Sequence, residues 1–283
     1  MQKIDIQKTK DKITKNAVDF GFEDVRFIKY KNASYILAFK PFDPGMVNTD
    51  KDKVSASIYY ATSNFTDKAA GKLSAYITDA LNIKAIVVSD DVYVKSVAIT
   101  SGGMMGLNSL YYHPEFGSIF SVQALRIYTD LSDKKYGESS KCRLCLKCID
   151  ACPTGAISKD GLDKLKCIRD MMDAKIPEHH RDKPYQLFSC ELCQLCCPEN
   201  PIKQNTEPVT FDIQSILKEE QTQNITDFCG TYVGTRDRIL REAILMAAKN
   251  NLTSVTAQLK VLRSDADERI SKYATWALDQ LQD

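Results

Sequence analysis

The chain has 283 residues, room for two domains or three small ones, and its 43% hydrophobic and 27% charged content is that of an ordinary globular protein. A formal net charge of +1 gives no general attraction to nucleic acid or to an anionic membrane. No run approaches the ~18 apolar residues of a membrane span, and residues 1–15 lack the apolar core of a secretory signal, so a cytoplasmic protein is expected.

In chain order, residues 6–20 read as a helix, and residues 24–28 and 34–39, rich in branched and aromatic side chains, as strands. Pro41, Pro44 and Gly45 then break the chain. Residues 67–81 set Ala69, Leu73, Tyr76 and Ile77 on one helical face. Residues 84–88 form a short buried strand, residues 91–100 a helix that stops at Ser101-Gly102-Gly103, and residues 122–131 a further strand. A polar link begins at Lys134 and Lys135. The pattern predicts an α/β layer. The next segment, about 136–203, has too little apolar material for a core of its own, so metal ligation must organise it.

From about residue 210 the chain is helical. Leu240, Ala243, Ile244 and Ala247 share one face, and Val255, Leu259 and Leu262 the next. Ser264 reads as an N-cap with Asp267 in the capping-box position. Ile270, Tyr273, Ala274, Ala277, Leu278 and Leu281 form the stripe of the last helix. Two or three short helices fall below the ~3 repeats that a free-standing solenoid needs, so they should pack on the rest of the chain.

Ten cysteines need an explanation, because disulfides are rare in a reducing compartment. Nine fall between Cys142 and Cys197, and Cys229 alone lies outside. The run Cys142-Arg-Leu-Cys145-Leu-Lys-Cys148-Ile-Asp-Ala-Cys152-Pro153 has the spacing of bacterial two-cluster ferredoxins. Three thiolates on a tight loop reach three corners of one cube, and the fourth, before proline, reaches the other cluster. A second run, Cys190-Glu-Leu-Cys193-Gln-Leu-Cys196-Cys197-Pro198, also ends in Cys-Pro, and Cys167 stands between the two. The expected ligands are Cys142, Cys145, Cys148 and Cys197 for one [4Fe–4S] cluster, and Cys152, Cys167, Cys190 and Cys193 for the other. Cys196 is an alternative to Cys197 or Cys167, and Cys229 reads as a small buried hydrophobe. Zinc is the competing metal, but its sites come as separate Cys pairs and need no triple run with a later Cys-Pro.

With its lone Cys167 and its Cys190-x-x-Cys193-Gln194 segment, the stretch 142–198 resembles epoxyqueuosine reductase. Ser101-Gly-Gly103-Met-Met-Gly106-Leu-Asn108-Ser-Leu110 is similar to that family's glycine-rich segment, and His113-Pro114-Glu115-Phe116-Gly117-Ser118 and Tyr128-Thr129-Asp130-Leu131 to the segments that follow it. Ala274-Thr-Trp276-Ala277-Leu278 is similar to the end of its HEAT-like helices. The resemblance implies an α+β protein in three parts. These are an N-terminal α/β cobalamin-binding-like domain (1–135), a ferredoxin-like dicluster domain (136–203) and HEAT-like helices (204–283). It implies an oxidoreductase whose clusters deliver electrons to a cobalamin for removal of an epoxide oxygen from a queuosine precursor in tRNA. Gly103, Gly106, Asn108, His113 and Phe116 would then lie at the cobalamin. A donor such as ferredoxin or flavodoxin would supply the electrons, to a monomer that is not bound to a membrane.

Two departures stand out. The family's proton-donating Asp lies in a D-x-x-P stretch; here Asp90 and Asp91 are the nearest acids, with no following proline and a spacing about three residues short. A helix N-terminus that favours negative charge explains them equally well. The family's G-x-D-Y-H segment appears as Ser63-Asn64-Phe65-Thr66, without acid or histidine. Residues 236–283 carry eight basic and seven acidic side chains, little support for RNA binding, although Arg236, Arg238, Arg241 and Lys249 can form a basic stripe. The alternative reading is therefore a dicluster electron carrier or reductase subunit without cobalamin. A third keeps the corrinoid and acts on a small molecule.

Overall fold

The structure, a computed structural model, describes residues 5–133, 136, 142–202 and 206–281. The polar link expected at Lys134 and Lys135 lies outside the described residues. The chain forms two compact units, one from the segments up to Phe42, Thr62–Leu144 and Pro198–Pro201, the other from Asp43–Ala61, Cys145–Cys197 and from Ile202 onward.

The first unit is built on a four-stranded sheet, in the order Asp24–Tyr30, Ala33–Pro41, Phe120–Ile127, Ala85–Val87. Every pairing is antiparallel, so the α/β layer read from the sequence is an α+β arrangement. The central strand Ala33–Pro41 is apolar at nearly every position because both its faces are covered. Ile36 and Ala38 pack with Ile13 and Ala17 of the helix Ile6–Asp19 and with Leu73 and Ile77 of the helix Ile58–Leu81. Tyr35, Leu37 and Phe39 face the other way, toward Val94, Val97 and Ala98 of the helix Asp91–Ile99. Each fully buried Leu or Ile contributes roughly 1.5–3 kcal/mol to this arrangement.

The long helix begins at Ile58, well before the expected residue 67, so the Ser63–Thr66 segment lies within it. There Thr66 is fully buried, and its Oγ1 is bonded to Ser121 Oγ at 2.8 Å.

The second unit holds a smaller sheet, which sequence reading missed. Its middle strand, Lys53–Ala56, pairs in parallel with Gln186–Leu187 and antiparallel with Thr210–Asp212. One core runs through this unit. Val54 and Ala56 of that strand, Ile168, Met171, Met172, Leu187 and Phe188 of the cysteine-bearing segment, and Leu240, Ile244 and Leu259 of the C-terminal helices all belong to it. The segment poor in apolar residues thus shares the core of the helices that follow. The last helix is Glu268–Gln280, with Ile270, Tyr273, Ala274, Ala277 and Leu278 inward. Its N-cap is Asp267, whose carboxylate accepts from Arg269 N, and not Ser264, whose N–H donates to Val261 O in the preceding turn.

Among the described residues, no helix is long and apolar enough to cross a membrane.

Candidate metal centre and glycine-rich turn

None of the ten cysteines is in a disulfide. The first motif is held as a tight loop by two left-handed residues, Leu144 (φ 54°) and Leu146 (φ 65°), each a strained conformation for a branched side chain. Cys148 lies on the one-turn helix Lys147–Asp150. Cys152 opens a Pro-Thr-Gly turn, and its Sγ accepts from Ala156 N at 3.2 Å. Burial would raise the Cys152 thiol, but hydrogen bonds from Thr154, Ala156 and Ile157 outweigh it and hold the pKa below the usual thiol value.

Cys167 caps the helix Ile168–Met172, where N–H groups of Arg169 and Asp170 face its sulfur, though burial leaves the thiol raised. Burial also pushes the Cys190 thiol up to about 12, with smaller contributions from the nearby Cys167, Cys152 and Glu191. These three thiols, from three separate loops, therefore stand near one another. A second group surrounds Cys196, which burial raises, followed by Cys148, Cys197 and Cys145. Sequence reading left Cys196 as a spare, and it stands beside two members of the first motif. Cys142 falls in the first unit. There the Arg143–Glu199 ion pair, 2.6 Å, joins the residue after Cys142 to the second residue after Cys197. Cys229 donates to Ile225 O at 3.0 Å and is a core residue.

Among the described residues, no three His, Cys, Asp or Glu side chains are so grouped as to hold one metal ion. Two groups of thiols without disulfides, one around Cys190 and one around Cys196, supply the thiolate donors that iron–sulfur clusters take.

The glycine-rich segment forms a small hairpin, Met104–Met105 with Tyr111–Tyr112. Gly102 and Gly103 have φ of 81° and 114°, and a Cβ on Gly103 would stand 2.3 Å from Tyr112 O, so only glycine fits there. Both line a cavity of about 350 Å³ together with Asp24, Val25, Arg26, Ser101, Pro114 and Tyr136. Of the five residues expected at a cobalamin, only Gly103 lines it. Gly106 and Asn108 close the hairpin turn, where Asn108 Nδ2 donates to Tyr112 Oη at 2.9 Å.

His113 is buried, stacked on Phe116 at 4.3 Å. Its Nδ1 accepts from Glu115 N at 3.2 Å, so Nε2 carries the proton and donates to Asp24 Oδ2 at 2.8 Å. Arg26 Nε donates to the same carboxylate at 2.6 Å, its Nη1 donates to Ser101 O at 2.6 Å, and its Nη2 reaches the His113 ring. Burial opposes ionisation of Asp24, but its bonds to His113 and Arg26 prevail and hold its pKa below 3.8. Asp24 is thus an anion at neutral pH and no general acid, and both His113 nitrogens are engaged. Asp90 caps the helix Asp91–Ile99, its carboxylate accepting from Tyr93 N at 3.0 Å, and the Asp91 side chain lies outside the described residues.

The expected basic stripe does not form. Arg236 is paired with Glu219 and Asp265, Arg238 with Asp173, and Arg241 with Glu242, while Lys249 Nζ donates to Pro184 O.

The thiol-bearing segment defines the class: residues 141–200 match the family model of the 4Fe-4S double cluster binding domain. Beyond that segment, the chain is 28% identical to the epoxyqueuosine reductase of Bacillus cereus over 231 residues, which covers 74% of this chain and 60% of the relative. It is 30% identical to that of Shewanella oneidensis over 237 residues, 76% and 59% of the two chains. The chain is a relative of the epoxyqueuosine reductases. It spans about 60% of the length of these curated relatives. In fold it resembles a solved epoxyqueuosine reductase with an epoxyqueuosine-modified tRNA-Tyr stem loop, at a TM-score of 0.80 and 18% identity, over 99% of this chain and 92% of that one. A Bacillus subtilis epoxyqueuosine reductase, whose structure has its catalytic aspartate loop swung out of the active site, is matched at the same TM-score over 98% and 91%.

Proposed function

We propose that the chain is an iron–sulfur oxidoreductase related to epoxyqueuosine reductase. Two [4Fe–4S] clusters would be held by Cys142, Cys145, Cys148 and Cys197, and by Cys152, Cys167, Cys190 and Cys193, and would supply single-electron transfers when bound. The observation that carries this reading is the gathering of Cys152, Cys167 and Cys190, distant in the chain, in a segment that matches a double-cluster domain. The chain's own contribution is to hold the thiols on strained loops and to aim N–H groups at the sulfurs of Cys152 and Cys167, which tunes the potential of a cluster there.

The finer reading adds a cobalamin on the N-terminal domain and reductive deoxygenation of epoxyqueuosine in tRNA, with the C-terminal helices as a HEAT-like domain. Kinship with the reductases supports it. Of the residues that sequence reading offered for the corrinoid, Gly103 lines the cavity beside Asp24 and Arg26. An acceptor other than a corrinoid is the second reading, favoured by Asp90 serving as a helix cap and by His113 and Asp24 satisfying each other. RNA contact, where it occurs, would use cations other than the four already paired.

The test is a metal and cofactor inventory after anaerobic purification with cobalamin supplied. Iron and sulfide at two clusters per chain are expected. Zinc in their place would end the proposal, and cobalt in the protein decides for the finer reading over the second.

A further inference from the structure

The helix Arg236–Lys249 carries two adjacent charges, Arg241, which sequence reading offered to a basic stripe, and Glu242. They are 6% and 1% exposed. Each has its own target on a loop that bears a thiol. Arg241 Nη2 donates to Met172 O at 2.5 Å, and Nη1 to Ala174 O at 3.4 Å. These carbonyls lie at the C-terminal end of the helix Ile168–Met172, whose N-cap is Cys167. A guanidinium satisfies carbonyls that the helix leaves unpaired and sits at the negative end of its dipole. Glu242 Oε2 accepts from Phe188 N at 2.5 Å, and its Oε1 accepts from Arg241 Nη2 at 2.8 Å. Phe188 is held in the left-handed region (φ 66°) two residues before Cys190, and its ring is buried in the same core. That strain persists only where the surroundings over-determine it.

We infer that Arg241 and Glu242 form a buried clamp that positions the two loops carrying Cys167 and Cys190 for one cluster. A buried ion pair is a poor source of stability compared with apolar residues of the same volume, so what this pair contributes is geometry. Arg241 fixes one end of the short helix that presents Cys167. Glu242 fixes the left-handed turn that presents Cys190. Their mutual bond locks the two settings together. The clamp acts through other residues and touches no cluster atom; both members are positioning residues.

The clamp rests on the proposed ligand set, and the experiment separates the two. Wild type, Glu242→Gln, Glu242→Asp and Glu242→Ala are reconstituted anaerobically, and iron content, EPR of the reduced protein and the midpoint potential of each cluster are measured. Gln keeps an acceptor for Phe188 N–H and should retain both signals, with one potential shifted. Ala removes the acceptor and should lose one of two signals and half of the iron, with helical content by circular dichroism retained. Asp keeps the charge but shortens the reach, and should weaken the same signal, which keeps the test decisive where Ala does not fold. Ala or Asp variants that hold both clusters at wild-type potentials overturn the clamp alone. A wild type that takes up no iron–sulfur cluster overturns the ligand set and the clamp with it.

Discussion

In the first unit, the polar cluster of Asp24, Arg26 and His113 stands on paired strands and on a loop pinned by its own backbone, His113 N to Gly117 O at 2.7 Å. The main polar atoms of that cluster have partners inside the unit. In the second unit, the thiols hang from loops whose residues Leu146 and Phe188 are left-handed, near short helices of four or five residues. These loops are held by the shared core, by the bonds from the helix Arg236–Lys249 and by those that the buried Glu191 makes with Ser57 and Tyr185. A site on a sheet can be complete without a ligand. A site on strained loops requires something to draw its thiols together, as ligation does in other small metallo-domains.

The comparison breaks most directly by removing metal. Iron chelated from the anaerobically reconstituted chain should speed amide exchange across residues 145–197 by on the order of a hundredfold, because local opening no longer has to break ligation. Amides of the strands Ala33–Pro41 and Phe120–Ile127 should keep their protection. Uniform loss of protection over both units, or none anywhere, would show that the cysteine segment does not depend on its ligand in the way argued.

This contrast also explains what the sequence disclosed. The strand at residues 34–39 announced itself because a two-sided burial demands an unbroken apolar run, and the last helix because its stripe repeats at helical spacing. Lys53–Ala56 did not, because its partners are more than a hundred residues away and its length is four. The thiol motifs were legible because ligand spacing is local chemistry. The support behind them was not: Arg241 and Glu242 look like any exposed pair on a helix, and only the packed fold shows that Phe188 N and Met172 O need them. The surroundings of His113 were equally hidden, since its neighbours Asp24 and Arg26 come from a strand about ninety residues earlier.

A smaller effect sharpens the account of the sheet-borne cluster. Asp24→Asn leaves the Arg26 guanidinium without its anion and should cost about 1.5–3 kcal/mol, the range for hydrogen bonds to charged groups. Its pKa in the folded chain lies below 3.8, so the unfolded chain binds the proton more readily. The stability it adds is present in full above pH ~4 and is lost as pH falls below that, through its folded pKa. Urea denaturation from pH 6 downward should show a steeper acid loss for wild type than for the Asn variant. Parallel curves would mean that Asp24 is not held ionised by His113 and Arg26. Iron content should be the same in both.

The smallest effect concerns the far end of the second unit. Asp267 caps the last helix and is held at a pKa of about 2, first by the Arg269 side chain and then by the Arg269 N–H. Asp267→Ala should cost about 1 kcal/mol by loss of the cap, read as a modest fall in urea midpoint with an unchanged slope. Because the folded value is depressed, the cap's contribution stands above the ordinary carboxylate range and fades only as pH falls toward 2. The helix packs its inward stripe on the core shared with the thiol loops, where Tyr273 Oη accepts from Ile176 N at 3.0 Å. Fraying from the Asp267 end should still leave both cluster signals intact, since the clamp on Phe188 and Met172 lies on a different helix. A variant that lost a cluster along with its cap would show instead that the thiol loops depend on the whole helical layer rather than on one buried pair.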